Sequence, residues 1–272
     1  SYSNFFPNIS LATQIGKFQT QLSYTTKIKR PFYNQLSSNM RYMNRFTYMS
    51  GNPDLKPETI HDLTLSGSYK WLQFMISYQR EKDAILYITE QYKKNPAITT
   101  VTHRNFNRID NFSAFLTASP AVGSWHPQLT VGVQKQWAKI EHNGETLQMD
   151  TPLFFCTLNN GIQLPYHWTL STDINFQSKG DYQNIYMYQN VFMMNATLTK
   201  SFLNEHLSIH LQGIDLTHGR KDGNRIYNKH MNMDVANVSD SRELRFTIRY
   251  KFNTAKSKYK GKGAATEEIK RL

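Results

Sequence analysis

The segment His230-Met231-Asn232-Met233 carries side chains that are capable of metal chemistry. Imidazole nitrogen and thioether sulfur are soft ligands, and together they suit copper. The segment lies in the long polar stretch 214–241, which is typical of a surface connection. In the alternative interpretation, His230, Met231 and Met233 line that connection without binding an ion. We favour this second interpretation, so the sequence predicts no firm metal site and leaves these three residues as candidates for one.

The rest of the chain suggests neither catalysis nor a bound cofactor. It has no Gly-x-Ser-x-Gly turn of a serine hydrolase and no glycine-rich phosphate loop. His206 and His210 are four residues apart, and on a strand this separates them by about 13 Å, too far to share one ion. Cys156 is the only cysteine, which excludes an intrachain disulfide and a zinc–thiolate site. We therefore expect no catalytic residue, no cofactor and no enzyme.

Three cations, Arg245, Arg249 and Lys251, follow one another on one face of the last alternating segment. Such a stripe either guides an anionic ligand or pairs with carboxylates elsewhere in the protein, and we favour pairing slightly. The net charge of +12 also raises the question of nucleic acid. The excess is spread along the chain without a recognition motif, so we predict no nucleic-acid partner.

The elements that must position these residues are strands, because apolar and polar residues alternate with period two along most of the chain. The clearest alternating segments are 18–24, 63–69, 72–78, 112–118, 129–133, 168–176, 192–198, 207–211 and 244–252. Several segments approach the length of about ten residues that crosses a bilayer at a tilt, and aromatic residues stand at their ends. A β-sandwich is the alternative, but its strands are shorter. We predict an all-β fold, an antiparallel transmembrane β-barrel portion of about 12–14 meandering strands.

The connections between the predicted strands alternate between short and long, as in outer-membrane barrels. Tight turns are expected at 69–71, 161–166 and 201–205, on the periplasmic side. Long polar loops are expected at 27–41, 90–107, 140–149 and 214–241, on the outer side. The alternation stops at Asn253, and the lysine-rich segment that follows is poor in apolar residues. We therefore divide the chain into a barrel, 1–253, and a basic, disordered periplasmic tail, 254–272.

One segment of the chain is a charged turn that leads directly into a strand. It consists of Gly51, Asn52, Pro53, Asp54, Leu55, Lys56, Pro57 and Glu58. Its two prolines fix φ and remove backbone donors, so that neither helix nor central strand is possible there. This segment resembles the GNPxLKPE element in the barrels of TonB-dependent outer-membrane receptors.

Three further segments strengthen that resemblance. The sequence around 22–36, the segment 213–216 and the C-terminus from Arg249 onward are similar to the family. Thr217-His218 stands where the family usually continues Phe-Asn, so the second similarity is weaker. The resemblance covers nearly the whole chain but only the C-terminal half or so of a family member.

The resemblance implies a role in outer-membrane transport. Family members have a 22-stranded barrel, of which this chain would be a part, closed by an N-terminal plug that contacts TonB. The implied partners are outer-membrane lipid, the missing plug and barrel half, TonB through the plug, and the barrel-assembly machinery, which would read Tyr250 and Phe252. Arg245, Arg249 and Lys251 would then face the lumen and meet carboxylates of the plug. The implied function is TonB-dependent uptake of a scarce nutrient, such as a metal chelate, in a Gram-negative bacterium.

Two other functions remain open at this point. An autonomous small barrel would act as an outer-membrane pore or adhesin scaffold. A soluble β-sandwich would act as a glycan-binding module through exposed aromatic residues. The first alternative requires that the chain close into a barrel by itself, and the second requires that its apolar faces pack against each other.

Overall fold

The structure is a computed structural model that describes residues 6–92, 95, 97–142, 144–227 and 232–252. In the first half of the chain, the strands and the short helix are β1 (Asn8–Ile15), β2 (Phe18–Lys29), α1 (Tyr33–Leu36), β3 (Arg41–Asn44), β4 (Thr47–Met49), β5 (Glu58–Tyr69), β6 (Leu72–Gln91), β7 (Thr99–Ala118) and β8 (Trp125–His142). In the second half they are β9 (Glu145–Met149), β10 (Leu153–Leu164), β11 (Trp168–Gln177), β12 (Gly180–Tyr182), β13 (Ile185–Met187), β14 (Val191–Phe202), β15 (Leu207–Ile214), β16 (Lys221–Tyr227), β17 (Asn232–Val238) and β18 (Glu243–Tyr250).

The strands form one large sheet and one small sheet. The large sheet has 14 strands, and eleven of them follow one path, β1-β2-β5-β6-β7-β8-β10-β11-β14-β15-β18, which we call the wall. Every neighbouring pair on this path is antiparallel. Strands β3, β4 and β9 join the same sheet outside the path, and β12, β13, β16 and β17 form the small sheet. The predicted antiparallel, nearly all-β fold is confirmed, with the wall open between β1 and β18.

All connections at one end of the wall are short. Two residues, 16–17, join β1 to β2, and two residues, 70–71, join β5 to β6. Gly16 and Lys70 both have positive φ, as tight two-residue hairpin turns require. The turns predicted near 69–71 and 201–205 lie at this end. The turn predicted over 161–166 begins later, because β10 continues to Leu164.

The connections at the other end are long, but they are not the irregular loops that we predicted. Apart from a break at Asp83 and Asn107, strands β6 and β7 stay paired as far as Gln91 and Thr99, so most of 90–107 is strand. The stretch 140–149 is a hairpin of β8 and β9, and 214–241 contains β16 and β17. In these extensions both faces of a strand meet water or protein, so the alternation of apolar and polar residues fades although pairing continues.

The core of the described residues lies at this end, where the long strands β6, β7 and β8 extend past the shorter strands of the wall. Its buried residues are Ala84, Leu86, Ile109, Ala138, Ile140 and Met149. Four strands, β6 to β9, supply them, and Tyr186 and Tyr227 of the small sheet pack against them. The small sheet therefore covers the extended hairpins. Within the described residues, no helix is long and apolar enough to span a membrane.

Candidate functional site

The wall has one polar face, made by residues that meet across neighbouring strands. One row on this face crosses eight strands through Gln14, Gln19, Ser68, Gln73, Thr117, Thr130, Thr157 and Asn175. Two contacts within it are hydrogen bonds, between the hydroxyls of Thr117 and Thr130 at 2.9 Å and from Thr157 to Asn175 at 3.1 Å. An open cavity of about 840 Å³ lies over the first five strands. Such a face suits contact with water and with polar ligands.

The opposite face of the wall is apolar. One row crosses seven strands through Leu11, Leu22, Leu65, Ile76, Ala114, Val133 and Phe154. Leu65 and Ile76 lie in the middle of the sheet and still have 37% and 41% of their surface exposed. A continuous exposed row of this kind is costly in water and stable against lipid. The two faces together define a membrane-spanning wall with a wet side and a lipid side.

At the end with the long connections, the extended hairpins and the small sheet form one packed unit, which we call the outer assembly. Asn184 is buried and donates from Nδ2 to the backbone oxygens of Tyr87 at 2.7 Å and Tyr227 at 3.3 Å. The side chain of Gln136 in β8 donates to Gln183 O at 2.7 Å and accepts from Gln183 N at 2.6 Å. These bonds hold the small sheet in place above the polar face.

The proline-containing segment 51–58 lies at the junction of the wall and the outer assembly. Asn52 donates from Nδ2 to His103 O of β7 at 3.0 Å. Lys56 and Asn105 form a reciprocal pair, with Lys56 N donating to Asn105 Oδ1 at 2.8 Å and Asn105 Nδ2 donating to Lys56 O at 2.9 Å. A Cβ at Gly51 would lie 2.5 Å from the backbone oxygen of Gln35, which explains why glycine is needed there. The segment thus clamps the outer half of β7.

Glu58 ends this segment and begins β5. Its side chain is almost fully buried, and it accepts hydrogen bonds from Ile85 N at 3.3 Å and from Lys29 Nζ at 3.3 Å. A buried carboxylate is stable only with such partners. Ile85 follows the kink at Asp83, where φ is +55°. Glu58 therefore fixes the point at which β6 leaves the wall and enters the outer assembly.

The predicted C-terminal residues lie on β18 and directly after it. Arg245 and Arg249 pair with Gln212 and Ser208 of β15, which belong to the polar face. The guanidinium of Arg245 makes a bidentate ion pair with Glu243 of the same strand, at 2.8 and 2.9 Å. Arg249 forms no ion pair with another described residue. Glu243 of the same strand thus supplies the counter-charge of Arg245, where we expected a carboxylate from elsewhere in the protein.

The other three predicted positions, Tyr250, Lys251 and Phe252, are consecutive. Lys251 N donates to His206 O at 2.8 Å, which extends the pairing of β18 by one residue. The rings of Tyr250 and Phe252 meet edge to face with centroids 4.6 Å apart. Both rings are substantially exposed at the end with the short turns. The role of Tyr250 and Phe252 as an assembly signal stays a prediction.

The metal candidates are only partly described. His230 and Met231 lie outside the described residues, as does the predicted tail 254–272. Met233 lies in β17 opposite Ile226. Among the described residues there is no group of three His, Cys, Asp or Glu side chains that could hold a metal ion. The His210 ring forms hydrogen bonds with the hydroxyls of Thr199 at 3.0 Å and Ser208 at 2.9 Å on the polar face.

A feature that the sequence analysis missed is the role of Asp215 after β15. Its buried carboxylate accepts hydrogen bonds from Ser241, from Gly219 N at 2.7 Å and from Arg220 N at 3.2 Å. Burial would raise the pKa of Asp215, but these hydrogen bonds outweigh burial and lower it. The carboxylate thus joins the segment before β16 and the segment after β17 to the end of β15 in the wall. The sequence offered one signal, a glycine four residues after an aspartate at a predicted strand end.

These observations define the class of protein as an outer-membrane β-barrel protein. The chain belongs to the outer membrane protein beta-barrel family, whose model matches residues 1–250. It is located in the outer membrane of a Gram-negative bacterium. The soluble sandwich is thereby excluded. A search of curated proteins found no match.

Solved structures share the fold at low sequence identity. The siderophore receptor PirA from Pseudomonas aeruginosa is 16% identical with a TM-score of 0.54, over 80% of this chain and 39% of PirA. The outer membrane transporter YddB from Escherichia coli is 11% identical with a TM-score of 0.50, over 85% and 38%. A ferric enterobactin receptor mutant from P. aeruginosa, in complex with enterobactin, is 15% identical with a TM-score of 0.51, over 90% and 40%. The chain therefore spans about two fifths of the length of these proteins.

Proposed function

We propose that this chain supplies wall and ligand-facing outer structure to an outer-membrane receptor that takes up a scarce nutrient in a TonB-dependent manner. The observation that carries the proposal is the packed outer assembly above a continuous polar face. An open pore needs only the polar face, whereas a receptor also needs ordered structure at the outer end to hold a ligand. The similarity in fold to a siderophore receptor and an enterobactin receptor supports a metal chelate as the nutrient.

The proposed mechanism divides the work among parts of a longer protein. The outer assembly captures the ligand, a plug in the lumen rearranges under energy supplied through TonB, and the ligand passes along the polar face. In this scheme the missing plug and the remaining barrel strands are partners of the wall. Arg249 and Lys251 would contact the plug, because cations in a filled lumen need counter-charges. Tyr250 and Phe252 would be read by the barrel-assembly machinery.

An autonomous pore or adhesin scaffold is the second candidate. Ten antiparallel steps separate β1 from β18, so these two edge strands run in the same direction. They cannot join by the antiparallel pairing on which barrels of this type depend. This geometry favours the receptor, in which further strands complete the wall.

The first test is the intact mass of the native polypeptide in purified outer membranes. A mass more than twice the 31.8 kDa of this chain is expected for a plugged receptor. The second test is uptake of radioactive iron as ferric enterobactin and other ferric chelates by cells with and without the gene. Uptake that depends on the gene and stops with a protonophore supports the proposal. A native mass near 31.8 kDa, or gene-dependent uptake that persists with the protonophore, would contradict it.

A further inference from the structure

On the lipid-facing side of the wall, the side chains become more polar towards the outer assembly. Above the row that contains Leu65 and Ile76 comes a row with Leu63 and Tyr78, and above that a row with His61 and Arg80. Because residues two apart on a strand share a face, all of these side chains point to the same side as the apolar row. On β6 the face therefore passes from aliphatic Ile76 through aromatic Tyr78 to charged Arg80 within five residues.

The charged zone continues across three strands. Its cations are Arg80 and Lys82 on β6, Arg108 on β7, and Lys135 and Lys139 on β8. We call these five residues the basic band. Three carboxylates lie on this side within the zone or next to it: Asp110 between Arg80 and Arg108, Asp150 at 3.9 Å from Lys135, and Glu141 two residues beyond Lys139. With five cations and three carboxylates, this zone has an excess of two positive charges. It borders the apolar, lipid-facing rows on the side nearer to the short turns.

Asp110 organises the centre of the basic band. It accepts hydrogen bonds from the Tyr78 hydroxyl at 2.7 Å, from Arg80 Nε at 2.8 Å and from Arg108 Nε at 2.5 Å. Each guanidinium has five N–H groups. Asp110 engages only the Nε–H of each, and Arg80 Nη2 also donates to the Tyr78 hydroxyl at 3.0 Å, so further donors remain on both. The side chains of Arg80 and Arg108 are 38% and 52% exposed. Two oriented guanidinium groups with unused donors therefore face outward, and such groups suit phosphate.

Two open cavities flank this centre on the lipid-facing side. One, of about 340 Å³, is lined by Tyr24, His61, Leu63, Tyr78, Arg80 and Lys82. The other, of about 410 Å³, includes Arg108, Trp137, Lys139 and Asp150 in its lining. Lys135 lies 5.4 Å from the centre of the Trp137 ring. Cations beside aromatic rings in a shallow cavity suit a head group that carries both phosphate and sugar.

The height of the basic band fits the membrane surface. Lys82 lies ten residues beyond Leu72, where β6 begins at the short turn. Ten residues at about 3.3 Å, tilted by about 40°, rise about 25 Å, which is the usual height of the apolar belt of an outer-membrane barrel. The band therefore stands at the level of the lipid head groups of the outer leaflet, on the outside of the wall, where a ligand passing through the lumen would not meet it.

We propose that the basic band binds the phosphate groups of a phosphorylated glycolipid of the outer leaflet. The site is separate from transport and depends only on the location of the wall in the outer membrane. Free inorganic phosphate shares the chemistry, but the continuity of the band with the lipid belt favours the lipid. The lipid would hold the extended β6–β7 hairpin against the membrane surface.

The test is native mass spectrometry of the full-length protein, extracted from outer membranes in mild detergent. We expect the wild-type protein to retain phosphorylated glycolipid. The variant K82Q/K139Q should retain it about 25-fold less, because each cation near an anionic membrane surface contributes about five-fold in affinity. K139Q alone should lower retention about five-fold, which keeps the test valid if the double variant fails to fold.

The matched control is K200Q. Lys200 lies on the same face, with Nζ 5.1 Å from the centre of the Trp168 ring, but at the end with the short turns. Its variant should retain the lipid fully, and K82R/K139R should retain it because the charge is kept. Equal retention in wild type and K82Q/K139Q, or an equal loss in K200Q, would overturn the proposal. Binding of inorganic phosphate by lipid-free protein, with no lipid retained in the wild type, would overturn it in favour of a free-anion site.

Discussion

Single buried polar residues decide how the outer assembly is joined to the wall. Glu58 and Asp215 are buried carboxylates that accept hydrogen bonds from other elements, and Asn184 links both sheets. Each of these residues forms hydrogen bonds with polar groups of other elements. Replacing any of them is costly, because those partners would be left unpaired. His103 differs from them, because both of its ring nitrogens are buried without a hydrogen-bond partner. Its ring packs against Tyr87 with centroids 4.2 Å apart.

His103 gives the outer assembly a dependence on pH. Burial lowers the pKa of His103, so its folded-state pKa lies below the unfolded value of about 6.5. The stability contributed by the neutral ring is present above the unfolded pKa and is lost as pH falls towards the folded pKa. Between the two values, opening of the β6–β7 hairpin should become up to about ten-fold more frequent for each pH unit.

Hydrogen exchange of residues 84–106 between pH 8 and pH 5 measures this effect. H103F keeps the ring contact with Tyr87 and removes the titration, so its exchange should lose the excess pH dependence. H126F is the control, because His126 is exposed at the end with the short turns, and it should behave as wild type. A wild-type hairpin whose intrinsic-rate-corrected exchange does not change over this range would contradict the prediction.

At the scale of elements, strands could be predicted from the sequence where they cross the membrane, and they could not be predicted where they extend beyond it. Within the wall, lipid on one side and water on the other impose alternation, and the segments 72–78 and 244–252 were identified for that reason. The stretch 99–107 has no such contrast between its faces, so it was predicted as part of a loop although β7 runs through it. The small sheet was missed for the same reason. Its short strands are held by Asn184 and Gln136, and sequence spacing does not reveal such contacts over a distance.

The assignment of faces is testable on β18. Ile248 pairs with Ile209 on the apolar face, and Thr247 pairs with His210 on the polar face. Ile248→Arg should lower the free energy of unfolding by up to about 2–4 kcal/mol, because it places a charge against lipid. Thr247→Arg, one residue away, should be far milder, because the polar face already holds Arg245 and Arg249. Urea unfolding of the full-length protein in lipid vesicles measures both, and equal damage would refute the assignment of faces.

For the whole molecule, the direction of the edge strands matters more than their number. Strands β1 and β18 run the same way, and every residue of both strands is exposed. Apolar residues of β18 such as Leu244, Phe246 and Ile248 are 76%, 62% and 60% exposed. Antiparallel closure requires an odd number of added strands between the two edges. A second identical chain in the same orientation also offers a parallel edge, so it cannot complete the wall by this pairing.

We therefore predict that residues 1–252 do not form a closed monomeric barrel by themselves. Each edge would leave backbone donors and acceptors unpaired in lipid, at a cost of several kcal/mol per group. After refolding into lipid vesicles, this segment should lack the gel mobility shift on heating that marks a closed barrel, and it should associate through its edges. The native polypeptide treated in the same way should show the shift. A heat-modifiable monomer of residues 1–252 would demonstrate closure without further strands. In that case β1 or β18 would have to rearrange, because the eleven strands of the wall cannot close by antiparallel pairing alone.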